Sequence, residues 1–206
     1  MSESKQETLN NRTREALEEA KHSAALEAVR DLLWFIGEDC NREGLLDTPQ
    51  RFLKAWNEWF KGYGDDPEEI LSKRFNEVEG YDELVMLKRI PFQSHCEHHI
   101  APIIGHATIA YLPDRGVVGI SKLARLLDCY AKRLQVQEKM TAQIADALVK
   151  YLQPRGVAVI VNAEHHCMTT RGVHKHKSEM ITSEMRGKFR DDHSLRSEVM
   201  ALHLGE

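Results

Sequence analysis

The chain has 206 residues, of which 42% are hydrophobic and 29% charged, with a formal net charge of -4. That size and balance fit one substantial packed domain with a helical extension, and the slight acidic excess argues against broad electrostatic binding to nucleic acid, which needs a basic surplus. No apolar run approaches the roughly 18 residues of a membrane span, and the polar N-terminus (MSESKQETLNNRTREALEEAK) lacks a signal-peptide core, so a cytoplasmic protein without membrane or nucleic-acid partners is expected.

Residues 1–22 read as a polar tail, mobile or helical, without an apolar stripe. A helical region over 23–80 follows. In it Ala25, Val29, Leu32, Leu33 and Ile36 recur at helical spacing. Thr48-Pro49 joins an N-cap residue to proline at the first helical position, and Phe52, Leu53, Trp56, Trp59 and Phe60 give that helix an apolar face expected in the core. Asp66-Pro67 opens another short helix by the same logic. Residues 81–206 are expected to form a second, mixed region of strands and helices. LVMLKRIPF (84–92) reads as a strand running into SHCEHH, and IIGHATIAYL (103–112) as a second strand with Gly116 at a nearby turn. Two helices come next. Leu123, Leu126, Leu127 and Tyr130 share one face of the first, leaving Lys122, Arg125, Cys129 and Arg133 on another. Val136, Met140, Ile144, Leu148 and Tyr151 form the buried stripe of the second. GVAVIV (156–161) is a wholly apolar strand leading into AEHHC, residues 179–186 suggest a fourth strand, and Asp192 opens a final helix. The order, helices and then ββααββ and a short helix, predicts an α+β fold with helices on one face of an antiparallel sheet.

Of the four cysteines, Cys40 and Cys129 read as ordinary packed or surface thiols, and a disulfide framework is not expected in a reducing compartment. Cys96 and Cys167 differ because histidines crowd each of them. Cys96-Glu97-His98-His99 sets a thiol and an imidazole three residues apart, so that one tight turn can direct both at a metal. Cys167 follows His165 and His166 at the end of a separate strand. Zinc suits this mixture of sulfur and nitrogen. The pattern leaves three readings open: a catalytic zinc with an open position, a closed Cys₂His₂ structural zinc, or histidines that merely lie on the surface. Surplus histidines favour the first, because imidazole is suited to moving protons near neutral pH. Taken alone, Glu138, Lys122 and Arg125 read as solvated helix charges and Ser121 as a helix cap.

Four segments together resemble the GTP cyclohydrolase I family: SHCEHH (94–99), GISKLAR (119–125), RLQVQE (133–138) and EHHCMTTRGV (164–173). The similarity runs from the Thr48-Pro49 helix to the C-terminal helix. It implies a tunnelling fold whose protomers assemble into a barrel-centred homodecamer, with active sites at subunit contacts. It also implies conversion of GTP and water into formate and 7,8-dihydroneopterin triphosphate, the entry to tetrahydrofolate and other pterins. By this resemblance Cys96, His99 and Cys167 are the zinc (Zn2+) ligands, with water completing the coordination. His98 and His165 match the catalytic histidines, Glu138 matches the guanine anchor, and Gln137 lies beside it among the substrate-binding residues. Ser121, Lys122, Arg125 and Arg171 match residues around the ribose and triphosphate, Ser121 with a part in opening the ribose.

The chemistry of these residue types agrees with the implied roles. Zinc activates water near neutral pH. Addition of that water to purine C8 builds negative charge that His165 would relieve as an acid near N7, with His98 shuttling protons during formate release. A carboxylate at Glu138 can accept from guanine N1–H and the 2-amino group, an edge that adenine does not offer. Lys122 and Arg125, three apart on one helix, can meet the same polyphosphate, and no P-loop motif is present. Two other readings are weaker. A pterin synthase of related fold typically uses three histidine ligands, unlike the Cys/His/Cys pattern. A non-catalytic zinc-stabilised protein would not be expected to keep His98, His165, Glu138 and Arg171 together. Glu97, Glu164, His95 and His106 read as structural or surface groups, and His166, His174 and His176 carry no assigned role.

Overall fold

The computed structural model describes residues 3–75, 81–114 and 116–205. The end of the predicted helical region, 76–80, lies outside the described residues, as do the first two residues of the polar tail. The chain forms two compact units, Met1–Glu58 and Trp59–Glu206.

The first unit is helical. Helix α1 spans Glu3–Phe35, so the predicted division at 22/23 falls inside it. It ends at Gly37, whose φ of 89° suits a residue without Cβ. The amides of Gly37 and Glu38 turn back to the carbonyls of Trp34 and Leu33. Of the predicted apolar stripe Val29 is buried, whereas Leu32 and Ile36, with Trp34 and Phe35, are exposed. Helix α2 spans Thr48–Trp59, and on it the rings of Phe52 and Trp56 pack with centroids 5.0 Å apart.

The second unit opens with the one-turn helix α3 (Pro67–Leu71), capped by the Asp66 carboxylate on the Glu68 amide at 2.8 Å. A five-stranded sheet carries the rest. Its long strands are β2 (Val85–Cys96), β3 (Pro102–Leu112), β6 (Gly156–His165) and β7 (Glu179–Gly187), each antiparallel to the next in that order. Between β3 and β6 come helix α4 (Ile120–Ala131), the short strand β5 (Leu134–Gln135) and helix α5 (Gln137–Leu152). Strand β5 pairs parallel with the end of β2, so the sheet is not wholly antiparallel. A separate ladder joins β1 (Arg74–Phe75) to β4 (Val117–Val118). After β6 comes the one-turn α6 (His166–Thr169), and after β7 the short α7 (Lys188–Asp191) and α8 (His193–Leu204).

Alternation along the strands sorts the core into two layers. Ile103, Ile109, Val157, Val159 and Val161 meet Leu123, Leu126, Leu127, Met140, Ile144 and Leu148 of α4 and α5. Ala110, Leu112, Ala158, Ile160 and Met185 face the other way, against Phe189 and Val199 of α7 and α8. Helices therefore occupy both faces, not one, because β6 is apolar on both sides and each side must be covered. Of the two readings open for Cys129, a packed or a surface thiol, the structure shows the packed one, fully buried. A bulge in β2 between Leu87 and Ile90, with Arg89 at φ 57°, shifts the alternation by one residue and turns Ile90 and Phe92 toward α4 and α5. Among the described residues no helix is long and apolar enough to cross a membrane.

Gly105 of β3 pairs with Ala163 of β6 and has no room for a side chain. A Cβ there would stand 2.1 Å from the Asn162 carbonyl oxygen and 2.6 Å from the Ala163 Cα. Gly105→Ala should therefore lower unfolding stability by at least about 2 kcal/mol in chemical denaturation, since backbone rather than a flexible side chain must give way. Unchanged stability would contradict the Gly105–Ala163 pairing.

Candidate metal centre and its surroundings

Strand β3 is the spacer that brings the two Cys/His clusters together. Its first residue, Pro102, pairs with His95 of β2, and its second, Ile103, pairs with His165 of β6. The ends of β2 and β6 thus lie level, one on each side. Cys96 closes β2, and Cys167 sits on α6, two residues past the end of β6.

After Cys96 the chain makes a tight turn. The Cys96 carbonyl accepts from the amides of His99 (3.4 Å) and Ile100 (2.8 Å), and the Cys96 amide donates to the Ala101 carbonyl at 2.9 Å. Ile100 adopts φ 56°, a left-handed conformation that costs a β-branched residue on the order of 1–3 kcal/mol. The next amide, that of Glu97, donates to the Gln135 carbonyl of β5 at 3.0 Å. Behind the turn His95 is buried against the rings of Trp59 and Phe60, at 5.0 and 5.1 Å between centroids.

The outcome is a group in which one ligand atom each from Cys96, His99 and Cys167 lies within 4.8 Å of the others. Cys96 is buried, Cys167 partly buried and His99 exposed, so the group is open to a ligand on one side. Burial pushes the Cys167 thiol upward, the adjacent Cys96 adds to that, and Arg171 offsets part of it. Two thiols this close favour a divalent cation, which reverses that preference by stabilising both thiolates. The donor set fits a tetrahedral metal held by two sulfurs and one nitrogen.

His98 is exposed, its Nδ1 3.7 Å from the Cys96 sulfur and its Nε2 4.0 Å from Glu97, whose carboxylate also lies 3.7 Å from Lys139. His165 is half-buried; burial lowers its pKa from the ordinary value and the Glu138 carboxylate acts against that. Glu138 itself is exposed on the first turn of α5. Gln137 is fully buried, with its amide oxygen 2.8 Å from His165 Nε2. Ser121 is exposed on the first turn of α4. Lys122 and Arg125 line another cleft of about 400 Å³, shared with Lys61 and with the carboxylates of Asp65, Asp66, Glu69 and Asp128. Arg171 is exposed beyond α6.

Sequence reasoning passed over Thr141, Thr182 and Gln135. Thr141 lies four residues after Gln137 on α5, a helical neighbour that spacing alone could have marked. Thr182 reaches the same group only through the β6–β7 pairing, in which it faces Val161. Gln135 holds the Glu97 amide through its backbone, so its side-chain type carries no signal.

If the ligand roles are as placed, Cys167→Ser and His99→Ala should each abolish stoichiometric zinc binding, measured by titration of metal-free protein, while His98→Ala and His165→Ala should retain it. Retention by His99→Ala with loss in His98→Ala would exchange the two roles.

The sequence matches the family model described as GTP cyclohydrolase I over residues 25–204. It is 56% identical over 175 residues to a GTP cyclohydrolase 1 of Maricaulis maris, covering 85% of each chain. It is 55% identical to those of Hyphomonas neptunium and Bartonella quintana, over 176 and 175 residues, again with 85% of each chain covered. On this evidence the chain belongs to the GTP cyclohydrolase I family.

Proposed function

We propose that this chain hydrolytically opens the guanine imidazole ring of GTP, releasing formate and forming 7,8-dihydroneopterin triphosphate. The observation that carries the reading is the group of Cys96, His99 and Cys167 flanked by His98 and His165, in a chain of this family. Zinc held by those three residues would supply Lewis acidity toward water at neutral pH.

The chain's own side chains supply the rest. Glu138, exposed and close enough to His165 to act on its charge, would accept from guanine N1–H and the 2-amino group. That pairing would hold the base so that C8 and N7 approach His165. His165 would hold a proton for the ring nitrogen that gains charge when water adds at C8, a step favoured in a partly desolvated site. His98, open to solvent, would pass protons as the ring opens and formate leaves. Ser121 would assist opening of the ribose, with Arg171 beside the phosphates.

Lys122 and Arg125 are the residues expected at the triphosphate. In their cleft three cations, with Lys61, stand against four carboxylates, so one protomer offers no net positive charge there. A polyphosphate needs further cations from elsewhere, which agrees with active sites at subunit contacts in a homodecamer of tunnelling-fold protomers. Two further features support assembly. The outer side of β7 is a sheet edge, with Ile181 65% exposed on it, and α1 ends in exposed Trp34, Phe35 and Ile36.

Zinc-loaded protein incubated with GTP should release formate and yield a fluorescent pterin after oxidation. Intact GTP with zinc fully bound would overturn the reading. Glu138→Ala should weaken GTP binding by about 10- to 1,000-fold, the loss expected for a charge-assisted pair of hydrogen bonds, and leave binding of inorganic triphosphate nearly unchanged. Equal losses for both ligands would remove Glu138 from the base.

A further inference from the structure

We propose that Gln137 is a positioning residue, which fixes the tautomer and ring orientation of His165 and does not itself touch substrate. This rests on the reading above, in which His165 carries a proton during turnover.

Gln137 is the first residue of α5 and the neighbour of exposed Glu138, yet none of its surface is exposed. Its side-chain nitrogen lies 2.9 Å from the Met180 carbonyl oxygen, 3.2 Å from that of Val161 and 3.2 Å from Thr182 Oγ1. Two of these partners are carbonyl oxygens, which only accept. The amide can therefore stand only one way round, because the reverse would set its oxygen against theirs. Its two hydrogens already face three acceptors, so none remains for a ligand.

That orientation decides the other end. The Gln137 oxygen lies 2.8 Å from His165 Nε2, and an amide oxygen only accepts. Nε2 must then carry a hydrogen, and in the neutral ring the lone pair belongs to Nδ1. Two threonines lock the arrangement. Thr141 Oγ1 donates to the Gln137 backbone carbonyl at 2.7 Å. The hydrogen in the 2.7 Å contact between Thr141 and Thr182 must then come from Thr182, whose oxygen accepts from the Gln137 amide. The two hydroxyl hydrogens and the Nε2 hydrogen of His165 thus each have one assignment, and the loop ties α5 to β6 and β7.

A side chain spent in this way acts on the reaction through His165. Removing the outer partner of a metal-ligating histidine lowers activity on the order of 10- to 100-fold, and a loss of the same order is expected for His165, which depends on its partner in the same way. The direct test is ¹⁵N NMR of histidine-labelled, zinc-loaded protein, with His165 assigned by difference from His165→Gln. The wild type should show the Nε2–H tautomer for His165. Gln137→Met should lose that signature, and its kcat for GTP per zinc-loaded site should fall about 10- to 100-fold with KM changed by less than about threefold. Thr182→Val, which loosens the loop and leaves Gln137 in place, should show a smaller loss of the same kind and serves if Gln137→Met does not fold. An Nδ1–H tautomer in the wild type would overturn the proposal, as would an unchanged tautomer in both variants. So would a raised KM with kcat retained, which would put Gln137 on the substrate. If no form releases formate from GTP while the tautomer behaves as stated, the functional reading fails and the hydrogen-bond assignment stands.

Discussion

The site depends on the register of one strand. Strand β3 pairs with β2 on one side and β6 on the other, and its first two residues face His95 and His165. A slip of two residues on either side would separate Cys96 from Cys167 by a further ~7 Å, and a slip of one would turn a whole strand face from α4 and α5 toward the opposite layer. Gly105 makes the β3–β6 approach close, and the bulge at Arg89 sets which side chains of β2 face the helices. The apolar layers on both faces hold this register, because a slip would break the packing of Val157, Val159 and Val161 on one side and of Ala158 and Ile160 on the other.

The turn that follows β2 is strained where the ligands emerge. Ile100 in a left-handed conformation is unfavourable in isolation, and it persists because both its ends are fixed. The Cys96 amide is tied to Ala101, the Cys96 carbonyl to His99 and Ile100, and the Glu97 amide to β5. Packing of His95 between Trp59 and Phe60 anchors the strand behind it. The result is a rigid turn carrying Cys96, while His98 and His99 stay open to solvent. A fixed thiol beside accessible imidazoles suits a site that must both hold a cation and exchange protons with water.

Charge is distributed unevenly over the same unit. Around the Cys/His group burial disfavours the Cys167 thiolate, an effect that Arg171 partly offsets, while the Glu138 carboxylate acts on His165. The cleft bearing Lys122 and Arg125 is balanced by its own carboxylates. A single protomer therefore brings three candidate metal donors together, whereas the cations of its Lys122/Arg125 cleft are outnumbered by carboxylates.

Much of this was legible in the residues themselves. Apolar periodicity located the long strands and the two helices between them, because burial of Leu123, Leu126, Met140 and Ile144 demands a helical stripe whatever the surroundings. Pro67 behind Asp66 and the Asp192 cap marked helix starts through local hydrogen bonds that need no tertiary partner. The Cys96-x-x-His99 spacing pointed to a metal, since a single turn suffices to bring those atoms together. Other features belong to the tertiary structure alone. That Cys167 joins Cys96 follows from strand pairing across β3, and the covering of the second sheet face by α7 and α8 follows from the path of the chain after β7. Gln137 shows the division most clearly. By sequence it is a polar residue next to Glu138 and passes for a substrate contact. Only the convergence of Val161, Met180 and Thr182 on its amide buries it and turns its oxygen to His165, because hydrogen-bond direction depends on partners that are distant in the chain.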